Sequence, residues 1–218
     1  MVQHVWERCR QCSKLDRVAI ATDNLKIKKV AESFGAEVIM TSEKHISGTD
    51  RIAEAVSHIE GATHVVNVQG DEPMINSDLI DELVTELLSD SGLAMVTAAN
   101  ELKDENLFQD TNIVKCVLNK HGNAMYFSRS AIPCERSKNT PDLKIYRHKG
   151  IYGYEAKFLQ SFIKLDPTPL ELAESLEQLR ALEHGTTIRV VITDDEHGGV
   201  DTPEQAEQMA KSLRKTVD

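Results

Sequence analysis

Two short acidic stretches are the first candidates for chemistry. Val68-Gln-Gly-Asp-Glu-Pro73 follows directly on the most strand-like run in the chain, His64-Val-Val-Asn-Val68. In open α/β sheets ligands bind beyond the carboxyl ends of the strands, so Asp71 and Glu72 stand where a hard cation with phosphate oxygens would sit. Magnesium takes one or two carboxylates plus substrate phosphates and waters rather than a full protein cage. The plain alternative is a Gly-Asp turn with Pro73 opening the next segment. The second stretch is Gly198-Gly-Val-Asp201-Thr-Pro-Glu-Gln205. Thr202 to Gln205 form a capping box with Pro203 at the first helical position. That cap has no need of Asp201, which leaves this carboxylate to complete a metal site with Asp71.

Three further groups carry weaker signals. Ser47-Gly-Thr-Asp-Arg51 reads as a Gly-containing turn leading into a helix, where backbone N–H groups favour anions and Arg51 adds a bidentate contact. The same residues also read as ordinary capping. Asp23, at a strand end, is equally a cap or a ligand contact. Arg147-His148-Lys149 with Tyr152, Tyr154, Glu177, Gln178 and Arg180 suits an acidic, hydroxyl-rich ligand, or else forms a solvated strand edge. None of the eight histidines has metal-ligand spacing, and GxSxG, Walker and GxGxxG patterns are absent from the sequence. Cys9-Arg-Gln-Cys12 has CxxC spacing without a second pair at metal-binding distance, so it reads as two helical cysteines, one of them in the core.

The elements that must position these residues follow from apolar spacing. Val2, Val5, Trp6 and Cys9 recur at i, i+3, i+4, i+7, as do Ile27 to Phe34, Ile52 to Ile59, residues 78–88 and Ala206 to Leu213, which predicts five helices. Between them lie β-branched runs at 18–22, 37–40, 64–68 and 93–97, read as strands buried on both faces. Strands alternating with helices mean βαβ units and a mostly parallel sheet. Ile113 to Leu118 and Ala124 to Ser128 read as a hairpin, residues 134–146 as a loop, Lys149 to Tyr154 as a strand, and Thr187 to Ile192 as a last strand. The expected fold is a single α/β domain over 1–218, a Rossmann-like sheet flanked by helices, with an antiparallel insertion at 113–154. With 218 residues, 40% hydrophobic and 28% charged, the chain is long enough to bury a core unaided by disulfides. Its net charge of −10 argues against nucleic-acid or anionic-membrane surfaces. No apolar run approaches a membrane span and no signal peptide opens the chain, so a cytoplasmic location is expected.

Taken in order, ATD at 21–23, SGTDR at 47–51, VNVQGDEP at 66–73, YFSRSAIP at 126–133, RHKGIYGY at 147–154, LEQLR at 176–180 and GVDTPEQ at 199–205 resemble the 3-deoxy-manno-octulosonate cytidylyltransferases, which make CMP-Kdo for Gram-negative lipopolysaccharide. The resemblance runs the length of the chain. It implies transfer of CMP from CTP to Kdo with release of pyrophosphate, with Mg2+ as cofactor and a homodimer as the working state. It further implies that Asp71 and Asp201 are the metal-binding, catalytic aspartates. Asp23, Ser47, Gly48 and Arg51 would lie near the nucleotide, and Gln69, His148, Tyr152, Glu177 and Gln178 in the sugar-acid pocket. The hairpin region around 126–133 is the expected dimer contact.

One departure bears on activity. The family opens with a strand and a loop of the form PAR…PGK, whose cations hold the triphosphate, whereas Met1 to His4 resemble the start of the family's first helix. Residues 1–218 alone are therefore expected neither to bind CTP productively nor to fold as a robust monomer. The alternatives to an active Kdo enzyme are an inactive, truncated subunit of that family and a cytidylyltransferase for amino-Kdo or a nonulosonate; HKGIYGY and LEQLR favour Kdo.

Overall fold

The computed structural model describes residues 1–136, 140, 141, 143–195, 199, 200 and 207. Helices and strands alternate through the first half: α1 (Val2–Cys9), β1 (Ala19–Thr22), α2 (Leu25–Ser33), β2 (Glu37–Met40), α3 (Gly48–Ser57), β3 (His64–Asn67), α4 (Ser77–Ser89) and β4 (Met95–Glu101). The hairpin β5 (Lys115–Leu118) and β6 (Ala124–Ser128) follows, then β7 (Tyr146–Glu155), α5 (Ala156–Phe162), α6 (Pro169–Glu174), α7 (Gln178–Glu183) and β8 (Ile188–Ile192). Side-chain oxygens of Asn24, Ser47 and Asn76 accept backbone N–H bonds at the starts of α2, α3 and α4, which is why short polar residues stand at these positions. Asp201, the capping box after it and the helix expected at 206–213 lie outside the described residues, Glu207 apart. Among the described residues no helix is long and apolar enough to cross a membrane.

The α/β class is as expected, but the pairing is mixed. β1 and β2 form a parallel pair of their own, while β6-β5-β7-β4-β8 run in order with β3 also on β7. β3, β4, β5 and β8 point one way, β6 and β7 the other. β7, expected to close an insertion, is thus the strand on which the sheet is assembled. One of its edges pairs with β4 along most of its length. Its other edge pairs with β5 at Tyr146 and Arg147 and with β3 from Tyr152 to Glu155. His148 N–H donates to Val114 O at 2.9 Å, which leaves a fork over residues 149–151. The β4–β7 register also breaks there: Thr97 opposes Tyr152 but Ala98 opposes Lys149, so Gly150 and Ile151 are extra residues on β7.

Alternate residues of β4 feed two cores, as the two-residue period of a strand requires. Val96 and Ala98 pack with Ile151 under the α4 stripe of Leu79, Ile80, Leu83 and Leu87. Met95 and Ala99 pack with Phe127, Tyr154, Leu159, Phe162 and Leu179 on the other face. Three sequence expectations need correction. The α2 stripe is covered only in part. Ala31 is fully buried and Phe34 lies against Trp6, but Ile27 and Val30 are 41% and 57% exposed, because α2 rests on the small β1–β2 sheet. β1, β2 and β3 are likewise half-buried rather than covered on both faces. And α1 ends at Cys9, leaving Cys12 beyond the helix. Burial pushes the Cys9 thiol up to about 11 and the Cys12 thiol up to about 12, so neither is a ready thiolate.

Gly153 marks where packing is tightest. A Cβ there would come 2.7 Å from both Leu87 Cδ1 and Val96 Cγ1, which are buried and cannot swing away. Gly153→Ala is expected to lower stability by about 1–3 kcal/mol in urea denaturation. Gly150→Ala, with open space at its Cβ position, should change it by no more than about 0.5 kcal/mol.

Candidate functional site

The expected residues gather around the carboxyl end of β3 and the fork in the sheet. Ser47 starts α3, its Oγ accepting the Asp50 N–H at 3.1 Å. A Cβ on Gly48 would lie 4.0 Å from both Asn67 Nδ2 and Gln69 Nε2, so the α3 N-terminus sits over the end of β3. Thr49 donates its hydroxyl to Glu177, which binds α3 to the start of α7. Tyr152, opposite Asn67 on one side and Thr97 on the other, stacks with Tyr154 and abuts His148, with ring centroids 5.9 and 5.4 Å apart. The nucleotide-side and sugar-side candidates therefore share one wall.

The two loops expected to carry the metal also meet. Val200 N–H donates to Asp71 O at 2.9 Å, and a Cβ on Gly199 would lie 3.7 Å from Asp71 Oδ2. Asp201 follows immediately in the sequence but lies outside the described residues. Behind this contact, Lys149 Nζ donates to Asp195 O at 3.0 Å and stands 3.2 Å from Asp195 Oδ2, both side chains being about 5% exposed or less. Burial raises the Glu72 carboxyl, an effect opposed by Lys149 and reinforced by Asp71 and Asp195. Among the described residues alone, no group of three His, Cys, Asp or Glu is placed to hold a metal.

Asp23 and Arg51 are brought together in an unexpected way. Arg51 Nη2 donates to Asp23 Oδ2 at 2.8 Å, and Nη1 to Thr41 Oγ1 at 2.7 Å. They neutralise each other rather than standing as two separate ligand contacts. Arg180 is committed too, donating from Nε and Nη2 to the two Glu171 oxygens at 2.8 and 2.7 Å and lying 3.3 Å from Glu177. Gln178 differs: its Nε2 is buried and has no hydrogen-bond partner among the described residues. Burial raises the Glu177 carboxyl, against the Thr49 hydrogen bond and Arg180, and holds Tyr152 as a neutral phenol. Sequence reasoning missed Thr97 and Thr49. A threonine in the middle of an apolar strand run was the available sign for Thr97, since a hydroxyl that is fully buried must find a partner.

Strand-end loops facing a helix N-terminus over a central sheet define a nucleotide-handling α/β enzyme of the nucleotidyltransferase type. The same fold is seen in 4-diphosphocytidyl-2C-methyl-D-erythritol synthase from Anaerococcus prevotii, at 12% identity and TM-score 0.64 over 98% of this chain and 89% of that one. A family model described as cytidylyltransferase matches residues 1–188, and the chain belongs to that family. Relatives named 3-deoxy-manno-octulosonate cytidylyltransferase include that of Thermodesulfovibrio yellowstonii, 44% identical over 98% of this chain and 88% of the relative. The mitochondrial protein of Arabidopsis thaliana is 42% identical over 99% of this chain and 74% of its own. The solved structure of CMP:2-keto-3-deoxy-manno-octonic acid synthetase with CTP superposes at TM-score 0.94, with 35% identity over 99% of this chain and 88% of that one.

Packing against Phe127, Tyr152 and Thr97 pushes His148 down to about 3, by desolvation. The fold therefore favours neutral His148. Its contribution to stability is complete above the unfolded value of about 6.5 and is lost as pH falls toward 3. Between pH 7 and 5 the native protein should lose about 2 kcal/mol through this group alone. Urea denaturation at the two pH values should show that much less acid sensitivity in His148→Gln; equal losses would place His148 in an unstrained, solvated setting.

Proposed function

We propose that the chain transfers CMP from CTP to 3-deoxy-manno-octulosonate (Kdo). The anomeric oxygen attacks the α-phosphorus, the bond to the bridging β-phosphate oxygen breaks, pyrophosphate leaves with the electron pair, and the hydroxyl proton passes to solvent. The observation that carries this reading is the convergence of Ser47 and Gly48, Gln69 and Asp71, His148 and Tyr152, and Glu177 around the end of β3. It is supported by relatives of that name at 42–45% identity over 98% or more of the chain.

In this reading α3 and the Gln69–Asp71 loop hold the nucleotide, and the β7–α7 wall holds the sugar acid. Neutral His148 and Tyr152 and the unpartnered Gln178 amide suit hydroxyl groups, and unmet polar groups of this kind discriminate strongly against ligands lacking them. Mg2+ fits the donor set: the Asp71 carboxylate lies against Gly199, two residues before Asp201, and hard oxygen ligands are what this ion takes. When bound there, the ion supplies charge neutralisation for the phosphate oxygens. The chain's remaining task is to hold sugar and nucleotide in line, which is most of what this chemistry needs. The same reading carries a role in lipopolysaccharide synthesis in the cytoplasm. It also carries a homodimer joined through the hairpin, where Met125 is 62% exposed.

The test is pyrophosphate release from CTP with Kdo, amino-Kdo or a nonulosonate as acceptor and Mg2+ present. Release that requires Kdo, and a fall of about 10²-fold or more in kcat for Asp71→Asn with an unchanged melt, is the expected result. Kdo-independent release, or equal rates with all three acceptors, would overturn the substrate; near-normal turnover in Asp71→Asn would remove that residue from the metal site.

A further inference from the structure

Thr97 is fully buried at the register break between β4 and β7, and three polar atoms converge on its hydroxyl. Ile151 O lies 2.7 Å away, Lys149 O 3.2 Å and His148 Nε2 2.9 Å. A threonine hydroxyl has one proton to give and lone pairs to receive. Both carbonyls are acceptors only, so the proton must point at them. Were it given to His148 instead, the hydroxyl oxygen would face Ile151 O at 2.7 Å with no proton between them. The remaining lone pair can therefore only accept, and the donor has to be His148 Nε2–H.

We infer that Thr97 is a positioning residue that fixes His148 in the Nε2–H tautomer, leaving Nδ1 as the ring's acceptor for a hydroxyl of the sugar acid. Burial among Phe127, Tyr152 and Thr97 keeps the ring neutral, so one nitrogen carries a proton and the other does not. Among the described residues Nδ1 has no hydrogen-bond partner. The bulge is what makes the arrangement work. Two extra residues on β7 turn the Lys149 and Ile151 carbonyls onto a single side chain of β4, so the proton of Thr97 is spoken for before any ligand arrives. The acceptor role of Nδ1 rests on the sugar-pocket reading above; the tautomer does not.

Long-range 1H–15N correlation spectra of 15N-histidine-labelled protein read the tautomer directly, with His148 assigned by the signal lost in His148→Gln. The native protein should show protonated Nε2 and bare Nδ1. Thr97→Val should lose that single state and Thr97→Ser should restore it. KM for Kdo should rise roughly tenfold in Thr97→Val, the loss of about one hydrogen bond, with KM for CTP nearly unchanged. An Nδ1–H signal in the native protein would overturn the inference without any variant, so a Thr97→Val that fails to fold leaves it decidable. Retention of pure Nε2–H in Thr97→Val would remove Thr97 from the role. A changed tautomer with unchanged KM for Kdo would overturn the acceptor role of Nδ1, whereas no Kdo turnover by the native protein bears on the function and not on the tautomer.

Discussion

The break in register between β4 and β7 is the constraint on which the site depends. Strand side chains alternate between faces, so a single inserted residue would send everything beyond it to the opposite side of the sheet. Here the insertion is two residues, Gly150 and Ile151, and the facing is kept. His148 and Tyr152 consequently remain neighbours, in a row of rings that runs from Phe127 through His148, Tyr152 and Tyr154 to Phe162 and Phe158. The bulge falls where β5 has left the other edge of β7 and β3 has not yet joined it, so the opening and the irregular backbone coincide. Both cores support it, with Ile151 under α4 and Tyr154 against Phe162.

Electrostatics around this opening follow from how the cations are committed. A chain of net charge −10 that is to receive anions would be expected to leave positive groups unpaired. Instead Arg51 is tied to Asp23, Arg180 to Glu171 and Glu177, and Lys149 to Asp195. Each pair does positional work: Arg51 joins α3 to the end of β1, Arg180 holds α7 to α6, and Lys149 anchors β7 to the segment that leads to Gly199. The Lys149–Asp195 and Arg180–Glu171 pairs are buried. Such pairs contribute little net stability, yet breaking one partner costs several kcal/mol, whereas the more exposed Arg51–Asp23 pair is worth about 1 kcal/mol or less. They lock geometry, while Arg147 stands close enough to Glu72 to lower its carboxyl by charge, against the burial that raises it.

How much of this could be read from the sequence divides along a physical line. Helices α1 to α4 and the strands between them follow from local apolar spacing and capping, and the expected strand at 37–40 coincides with β2. The grouping of Ser47, Gln69, His148 and Glu177 came from the family resemblance of their motifs; position along the chain alone left a helix cap, a turn and a solvated strand edge as equally good readings. What the sequence hid are the non-local choices. Nothing in RHKGIYGY reveals that its strand will lie between β3 and β4 with reversed direction, since pairing partners are set by the whole sheet. Nor does the apolar pattern of α2 disclose that Ile27 and Val30 face solvent; periodicity records one-sidedness, not what stands opposite. Thr97 was hidden for the same reason. Its three partners lie at least 51 residues away in sequence.

Several polar groups near the end of β3 and the start of α7 are held in unfavourable settings. Gln178 Nε2 is buried with no partner among the described residues, a state that costs about 1–3 kcal/mol in the free protein. The carboxyls of Glu72 and Glu177 are raised by burial, so both carry a desolvation penalty in their charged forms. A fold tolerates such groups when packing elsewhere over-determines the geometry. Here the α4 stripe over Val96 and Ile151 and the ring row beneath Tyr154 provide that packing. A ligand with a hydroxyl or carboxylate for Gln178 and a cation for the acidic loop would recover these penalties, whereas one lacking them would leave the penalties in place. Selectivity in such an arrangement would come as much from the polar groups the fold leaves unmet as from the contacts a ligand makes.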